Sequence, residues 1–475
     1  MSLPKKAMLC PFVRFLSSSI GCDAALLVMT LLAAALRFYH LGTWSFWIDE
    51  AFSLSLKEDG FNFSLWRQSL ALTLIHATTG LLGASEWSAR LAPALIGVLS
   101  IPVLYLPLRR LFGATVALLS VSLLALSPWH LYWSQNARFY SLLLLFYTLA
   151  LLTAYWGFEA DRPGYLLLSL LFLGLAARER LLALFFVPVL ASYLLLVQFS
   201  PFTRPPGWRL HNFAVFLLPG AVLALFFCGP YLQDFSGWLA GFRRINNNPF
   251  WIIAGTVYYI GLPLVCVAAT GALYLLGQGN RAALFFSLGA LIPLLAIAAL
   301  APFHYTANRY IFVSLTSWLV LASLAIQGLW QAVSRRAVLP VAGVVLLLMA
   351  QPLSEDLLYF RYQNGNRDNW RAAFAYIAEH KSKADVVVSA DQSIGEYYLQ
   401  SETMDWSDFD PAARPRTSGR IWFVEDMNAA AVHPQLFAWI QQHAQQMADF
   451  DVQVRARNFK MRVYLYDPAK PTVMR

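Results

Sequence analysis

The sequence predicts an all-α polytopic membrane domain of about eleven transmembrane helices, with interfacial helices in its first outer loop, followed by a small C-terminal α/β extracytoplasmic domain. Of the 475 residues, 58% are hydrophobic and only 13% are charged, whereas soluble domains carry about 25% charged residues. Repeated apolar runs approach the roughly 20 residues that cross a bilayer. Near Pro352 the composition changes. We therefore predict a membrane domain over residues 1–351 and a soluble domain over residues 352–475.

The apolar segments that we interpret as spans lie near residues 20–36, 91–108, 114–128, 141–157, 164–177, 181–197, 212–230, 251–276, 282–300, 310–329 and 337–351. The first has no small-residue cleavage site after it, which predicts an uncleaved signal anchor. A cytoplasmic N-terminus puts basic residues such as Arg109, Arg110 and Arg281 in inner loops, as the positive-inside rule requires. An odd number of spans then places the soluble domain on the outer side.

The soluble region alternates helical and strand patterns. An amphipathic helix is predicted over residues 366–380, and residues 396–400 suggest another helical turn. Buried strands are predicted at 384–390 and 420–426, a further helix over 433–447 and a terminal strand pair over 454–467. This alternation is typical of a small α/β domain.

Several classes of function are disfavoured. The net charge of +9 does not indicate a nucleic-acid partner, because the basic residues punctuate the apolar runs and form no stripe or tail. The four cysteines have no metal-ligand spacing, and no glycine-rich phosphate loop indicates ATP-driven transport. Charges lie at the ends of the apolar segments and seldom within them, which counts against a transporter or flippase.

Two adjacent carboxylates, Asp49 and Glu50, lie in the first outer loop, which runs from Arg37 to about Arg90 and is rich in aromatic residues. Such a loop suits short helices in the headgroup region, where a carboxylate costs less than in hydrocarbon. A carboxylate there can act as a general base, and arginines nearby can hold a phosphate leaving group. The alternative is that Asp49 only caps an interfacial helix.

Conspicuous arginines also occur in the outer loops, where topology does not require them. They are Arg37, Arg67, Arg90, Arg138, Arg243, Arg244 and Arg309. Arg138 lies near Tyr140 in the second outer loop, and Arg309 precedes Tyr310 at the start of a late span. These arginines either bind an anionic group or extend to lipid headgroups. Arg178, Glu179 and Arg180 form either a local ion pair, which we favour, or a wall of the site.

Five motifs in order resemble those of a known family. They are WIDEAFSL in the first loop, GASEWSARLAPALIGVLSIPVLYLPLRRLFG, SPWHLYWSQNARFYSLLLLF, NRYIFVSL, and DNWRAAFAYI followed by ADVVVSA. With them the chain resembles GT-C-type polytopic membrane glycosyltransferases of the family-39 kind, akin to bacterial aminoarabinose transferases and protein O-mannosyltransferases. The resemblance runs through most of the chain.

The resemblance implies an inverting glycosyltransferase of the bacterial inner membrane that moves a hexosyl or pentosyl group from a polyprenyl-phosphate sugar to an extracytoplasmic lipid, glycan or protein. It makes Asp49 the candidate base, with Glu50 as a catalytic or loop-positioning partner. Donor-phosphate contacts would come from Arg67, Arg138 and Arg309. The tyrosines at the helix ends, Tyr140 and Tyr310, would line the same site, and Glu86 would pair with Arg90 to orient the first loop.

Two departures from the family pattern matter. After Arg67, Gln68 and Ser69 replace a common Pro-Pro pair. In the second loop Asn136 replaces a common Glu, and an amide lacks the negative charge that a divalent cation favours. We therefore assign no cofactor and no metal ligand, with a divalent metal as the weaker option. The departures also keep an alternative open, a catalytically inactive relative that binds lipid or scaffolds a membrane complex.

Overall fold

The computed structural model describes residues 19–55, 69–241, 248–332, 338–410, 419–454 and 457–469 of the chain. Its membrane part is helical, with helices at α1 Ser19–Phe38, α2 Ile48–Ser55, α3 Leu70–Leu82, α4 Glu86–Phe112, α5 Ala114–Ala125, α6 Pro128–Ser134, α7 Tyr140–Glu159, α8 Pro163–Glu179, α9 Phe186–Leu196, α10 Leu210–Gly241, α11 Pro249–Ile260, α12 Leu262–Gly277, α13 Arg281–Leu300, α14 Leu315–Ala332 and α15 Val338–Arg361. Short 3₁₀ helices precede α9 (Leu181–Phe185) and α14 (Asn308–Ser314).

Over the described residues every predicted apolar segment is largely helical, with a 60° bend between α5 and α6 in the segment 114–128, and this confirms a multi-span membrane fold. Among the described residues, seven helices are long and apolar enough to cross a membrane, or up to nine if each bent pair is one span. The count of eleven therefore stays a prediction. The segment 251–276 is not one straight helix, because α11 and α12 meet at 98°. Gly261 permits that bend with its φ of 98°, a left-handed value that favours glycine.

The described part of the first outer loop contains two short helices, α2 and α3, as the sequence predicts. Asp49 and Glu50 lie in the first turn of α2, where negative charge complements the helix dipole. Ser69 caps α3 by accepting a hydrogen bond from the backbone N–H of Leu72 at 3.3 Å. Arg67 lies outside the described residues. The loop thus presents its carboxylates at the start of a helix.

The C-terminal region is a small α/β unit, as predicted. Its helices are α16 Trp370–His380, α17 Gln392–Leu399, α18 Ala429–Val432 and α19 Pro434–His443, and its strands are β1 Val386–Ser389, β2 Met404–Asp405, β3 Ile421–Asp426, β4 Gln445–Asp449, β5 Val452–Val454, β6 Arg457–Phe459 and β7 Met461–Tyr466. One sheet has the order β2-β1-β3-β7-β4, with β1 parallel to β2 and β3, and with β7 antiparallel to β3 and β4. A separate hairpin pairs β5 with β6.

Two details of this region differ from the predictions. The helix predicted over 433–447 ends at His443, and the chain then enters strand β4. The terminal strands do not pair with each other: β6 pairs with β5, and β7 lies between β3 and β4 in the five-stranded sheet. The patterns were misleading because Gln445 and Gln446 are polar and sit on an exposed edge strand.

The last apolar helix connects the two parts of the chain. Helix α15 runs through Pro352 to Arg361, so no break marks the predicted boundary at residue 352; the division into domains stays a prediction. The core of the α/β unit includes Trp370 and Ile394, and Ile48 and Ala51 of helix α2 pack against it. The α/β unit therefore contacts the helix that carries Asp49 and Glu50.

Candidate active site

The carboxylate of Asp49 faces two arginines from distant parts of the chain. Its Oδ2 lies 3.4 Å from Arg309 Nη1 and 3.9 Å from Arg138 Nη2. The Asp49 side chain is 23% exposed, so it remains accessible. Arg138 also donates to the backbone oxygen of Asp49 at 2.7 Å and to Ser53 Oγ at 2.8 Å, which fixes the first and second turns of α2 against the second outer loop.

Each arginine is positioned by local structure. Arg138 lies in the turn between α6 and α7, with its guanidinium 5.2 Å from the centre of the Phe139 ring. Arg309 lies in the 3₁₀ helix before α14, and its guanidinium stands over Trp47 and Tyr310 at 5.9 and 5.7 Å. Tyr140, the first residue of α7, interacts electrostatically with both guanidinium groups. The predicted residues Asp49, Arg138, Tyr140, Arg309 and Tyr310 therefore lie together.

Arg180 joins this group and supplies a third guanidinium. It follows α8 and lies 4.7 Å from the centre of the Phe139 ring, which it shares with Arg138. Burial lowers the pKa of Arg138, Asp49 opposes that change, and the positive charges of Arg180 and Arg309 lower it further. Arg138, Arg180 and Arg309 thus concentrate positive charge, and two of them contact Asp49; we call these three residues the arginine cluster.

Glu179, the neighbour of Arg180 in the sequence, contacts the start of helix α3. Its carboxylate accepts hydrogen bonds from the Ser69 hydroxyl and from the backbone N–H groups of Leu70 and Ala71 at 2.9 and 3.3 Å. It therefore caps the start of α3. The position of Arg180 beside Arg138 favours the interpretation that residues 178–180 form a wall of the site over the interpretation that they form a local ion pair.

Glu50 is fully buried and held by Arg90. Arg90 donates through Nε to Oε1 at 2.8 Å and through Nη2 to Oε2 at 2.7 Å, and the Ala137 N–H adds a bond of 2.8 Å to Oε1. Arg367 Nε lies 3.7 Å from Oε2. Burial alone would raise the pKa of Glu50, but Arg90, Arg367 and these hydrogen bonds together lower it. This geometry supports the loop-positioning role for Glu50 and not that of a base.

The predicted pairing of Glu86 with Arg90 is wrong. Arg90 turns inward to Glu50 and also donates to the backbone oxygens of Leu41, Trp44 and Ser45 at 3.1, 2.9 and 2.9 Å. The buried acceptors satisfy its full set of donors, so burial favours this partner set over a pairing along the surface of α4. Glu86 instead forms an ion pair with Arg371 of the α/β unit.

Other outer-loop residues are accounted for differently. Arg37 is buried and donates to the backbone oxygens of Ala125 and Leu124 at 2.9 and 3.3 Å, so it ties α1 to α5. Arg243 and Arg244 lie outside the described residues. Asn136 accepts from Trp47 Nε1 at 2.6 Å and donates to the Tyr132 backbone oxygen at 2.6 Å, so its amide links the two outer loops.

The part of the chain that the structure describes contains no group of three His, Cys, Asp or Glu side chains that could hold a metal ion. The carboxylate nearest to the arginine cluster, Asp49, is already shared between two guanidinium groups. The residues that meet here thus suit an anion beside a single accessible carboxylate.

The fold of the chain is similar to that of solved structures. ArnT from Cupriavidus metallidurans bound to undecaprenyl phosphate superposes with a TM-score of 0.63 at 16% identity, over 96% of this chain and 100% of that one. The structure of the same protein in the apo state superposes with a TM-score of 0.63 at 16% identity, over 93% of this chain and 98% of that one. The archaeal oligosaccharyltransferase AglB from Archaeoglobus fulgidus was solved in complex with an inhibitory peptide and a dolichol-phosphate. It superposes with a TM-score of 0.55 at 11% identity, over 92% of this chain and 74% of that one.

Comparison by sequence adds one family. Residues 70–233 match the family described as dolichyl-phosphate-mannose-protein mannosyltransferase. The sequences of curated proteins give no match. Together with the structural likenesses, the family match confirms the resemblance drawn from the motifs: the chain has the fold of the GT-C glycosyltransferases.

Proposed function

We propose that this protein is a GT-C glycosyltransferase that moves a sugar from a polyprenyl-phosphate donor to an acceptor outside the cytoplasm. The single observation that carries the proposal is the accessible carboxylate of Asp49 beside Arg138 and Arg309. A base and a phosphate-binding group must stand side by side for such a transfer, because the acceptor is deprotonated as the phosphate leaves. The structural likeness to a protein bound to undecaprenyl phosphate supports a lipid-linked donor.

The proposed reaction is a single displacement with inversion. The acceptor hydroxyl or amine attacks the anomeric carbon, and Asp49 takes the proton that the acceptor loses. The bond between that carbon and the phosphate oxygen breaks, and the oxygen leaves with the electron pair as part of the polyprenyl phosphate. The arginine cluster stabilises the charge that develops on this leaving group.

The remaining predicted residues take supporting roles in the proposal. Tyr140 and Tyr310 border the arginine cluster and can donate hydrogen bonds to the phosphate or to sugar hydroxyls. Arg67 stays a proposed donor-phosphate contact on the strength of the motif alone. Glu50 and Arg90 hold helix α2 and leave Asp49 as the one base of the reaction.

Location follows from the proposed topology. We place the protein in the bacterial inner membrane with its N-terminus in the cytoplasm and its α/β unit outside. The headgroup of a polyprenyl phosphate then reaches the arginine cluster from the outer leaflet, and its chain lies among the apolar helices. The acceptor is a lipid, a glycan or a protein segment on that side.

The proposal is tested in the native host. The gene is deleted and restored as wild type, as Asp49→Asn, or as Asp23→Asn, whose carboxylate forms an exposed ion pair with Arg109 at 3.3 Å. Mass spectra of surface lipids, glycans and glycoproteins are compared. We expect a hexose- or pentose-sized mass to disappear on deletion and to return with wild type and Asp23→Asn only. Full restoration by Asp49→Asn would contradict the catalytic assignment and favour an inactive lipid-binding relative.

A further inference from the structure

The α/β unit holds the chain immediately before Asp49. Arg371, in the first turn of α16, donates to the backbone oxygens of Thr43 and Gly42 at 2.9 and 3.1 Å. The backbone N–H of Arg371 also donates to Ser45 Oγ at 3.3 Å. One residue of the α/β unit thus makes three contacts with the segment that leads into helix α2.

Two tyrosines of helix α17 add further contacts between the α/β unit and the first outer loop. The Tyr398 hydroxyl accepts from the Phe46 N–H at 2.8 Å and donates to Glu86 Oε1 at 2.7 Å. The Tyr397 hydroxyl donates to Glu86 Oε2 at 3.1 Å, and its ring meets Phe46 edge-on with centroids 5.1 Å apart. Glu86, which also pairs with Arg371, therefore joins the second span, the first loop and the α/β unit.

Apolar packing fixes helix α2 from the same side. Ile48 and Ala51 flank the two carboxylates in sequence, and both pack against the core that contains Trp370 and Phe374. Because successive residues of a helix point in different directions, this contact holds one face of α2 and leaves Asp49 on another. The position of Asp49 thus depends on the α/β unit as well as on Arg138 and Arg309.

We propose that Arg371 and Tyr398, brought together on Glu86, are positioning residues for Asp49, so that the α/β unit is a working part of the catalytic centre. The inference rests on the proposed function. A general base must stand within hydrogen-bond reach of the acceptor proton, and a misplacement of about 1 Å can cost about 100-fold in rate. The arginine cluster belongs to the membrane part, so donor binding does not depend on this contact.

The test uses the full-length protein in lipid nanodiscs, with Arg371→Gln, Arg371→Lys and Tyr398→Phe, and lipid and protein extracted from membranes of the deletion strain supply the donor and the acceptor. We expect kcat to fall by about 10- to 100-fold in Arg371→Gln and Tyr398→Phe, with the KM for the donor unchanged. Arg371→Lys keeps the positive charge opposite Glu86 but loses the two-nitrogen contact with the backbone oxygens of Thr43 and Gly42. Its kcat should therefore lie between those of wild type and Arg371→Gln. Tyr398→Phe removes one oxygen atom and keeps the ring, which makes it the safer variant for folding.

The matched control is Arg420→Gln. Arg420 pairs with Asp385 at 2.8 Å inside the α/β unit, and its side chain is 35% exposed, close to the 43% of Arg371. This variant should keep the wild-type kcat, and thermal unfolding of all variants checks that each is folded. Wild-type kcat in Arg371→Gln and Tyr398→Phe, or an equal loss in Arg420→Gln, would overturn the positioning role. If Asp49→Asn kept full activity, the proposed function itself would fail.

Discussion

Asp49 and Glu50 are neighbours in the sequence, yet their carboxylates occupy opposite environments. Glu50 is fully buried, 2.7 Å from Arg90, whereas Asp49 is 23% exposed and lies 3.4 Å from Arg309. Both belong to the first turn of α2, where adjacent side chains diverge by about 100°. Helix α2 thus buries one carboxylate, which fastens the loop, and leaves the other partly exposed beside Arg138 and Arg309.

Replacing Glu50 should destabilise the protein strongly. Glu50→Gln leaves the buried guanidinium groups of Arg90 and Arg367 without their counter-charge, and breaking a buried pair in this way costs about 3–5 kcal/mol. Thermal unfolding in detergent should show a clear fall in Tm. Asp23→Asn, at an exposed pair with Arg109, should change stability by about 0–1 kcal/mol. Equal unfolding temperatures for Glu50→Gln and wild type would rule out the fastening role.

Replacing an arginine of the cluster should weaken donor binding. A hydrogen bond to a charged group contributes about 1.5–3 kcal/mol, so Arg138→Gln and Arg309→Gln should each raise the Kd for undecaprenyl phosphate by about tenfold or more. Microscale binding measurements in nanodiscs give this Kd directly. Arg209→Gln is the control, because Arg209 forms an exposed ion pair with Asp161 at 2.8 Å. Unchanged affinity in both cluster variants would place the phosphate elsewhere.

The α/β unit should lose stability in acid through Asp385. Burial alone would raise the pKa of this carboxyl, but hydrogen bonds from Arg420, Ser382 and Trp422 outweigh burial and lower it. A lowered folded-state pKa means that the stabilisation is fully present above the unfolded pKa of about 3.9 and is lost as pH falls through the folded value. Unfolding monitored from pH 6 down to pH 2 should therefore show a steeper loss of stability in wild type than in Asp385→Asn. Parallel pH profiles for the two proteins would contradict this.

The sequence predicts the main residues of the candidate site but leaves the role of Glu50 open. Asp49, Arg138 and Arg309 meet as the motifs and the resemblance imply. Which of two adjacent carboxylates turns inward depends on the phase of helix α2 against α4, and that phase is a tertiary property. Glu86 and Arg90 are one helical turn apart and could pair locally, but their partners Arg371 and Glu50 come from elsewhere in the fold.

The sequence alone could not show whether Arg180 belongs to a local ion pair or to the candidate site. An Arg-Glu-Arg run reads most simply as a local ion pair, and only the fold brings Arg180 beside Phe139 and Arg138. The bend between α11 and α12 was also hidden, because both sides of it are equally apolar. A glycine before Leu262 and Pro263 was the one local signal for it.

We propose that Asp49 is the base of a sugar transfer from a polyprenyl phosphate. The most direct test incubates wild type, Asp49→Asn and Asp23→Asn with native-host membranes from the deletion strain, which supply donor and acceptor. Liquid chromatography with mass spectrometry then follows the conversion of polyprenyl-phosphate sugar to polyprenyl phosphate. We expect conversion by wild type and Asp23→Asn, and a rate lower by about 10²–10⁴-fold for Asp49→Asn, the usual contribution of a general base. Equal rates for Asp49→Asn and wild type would contradict the account.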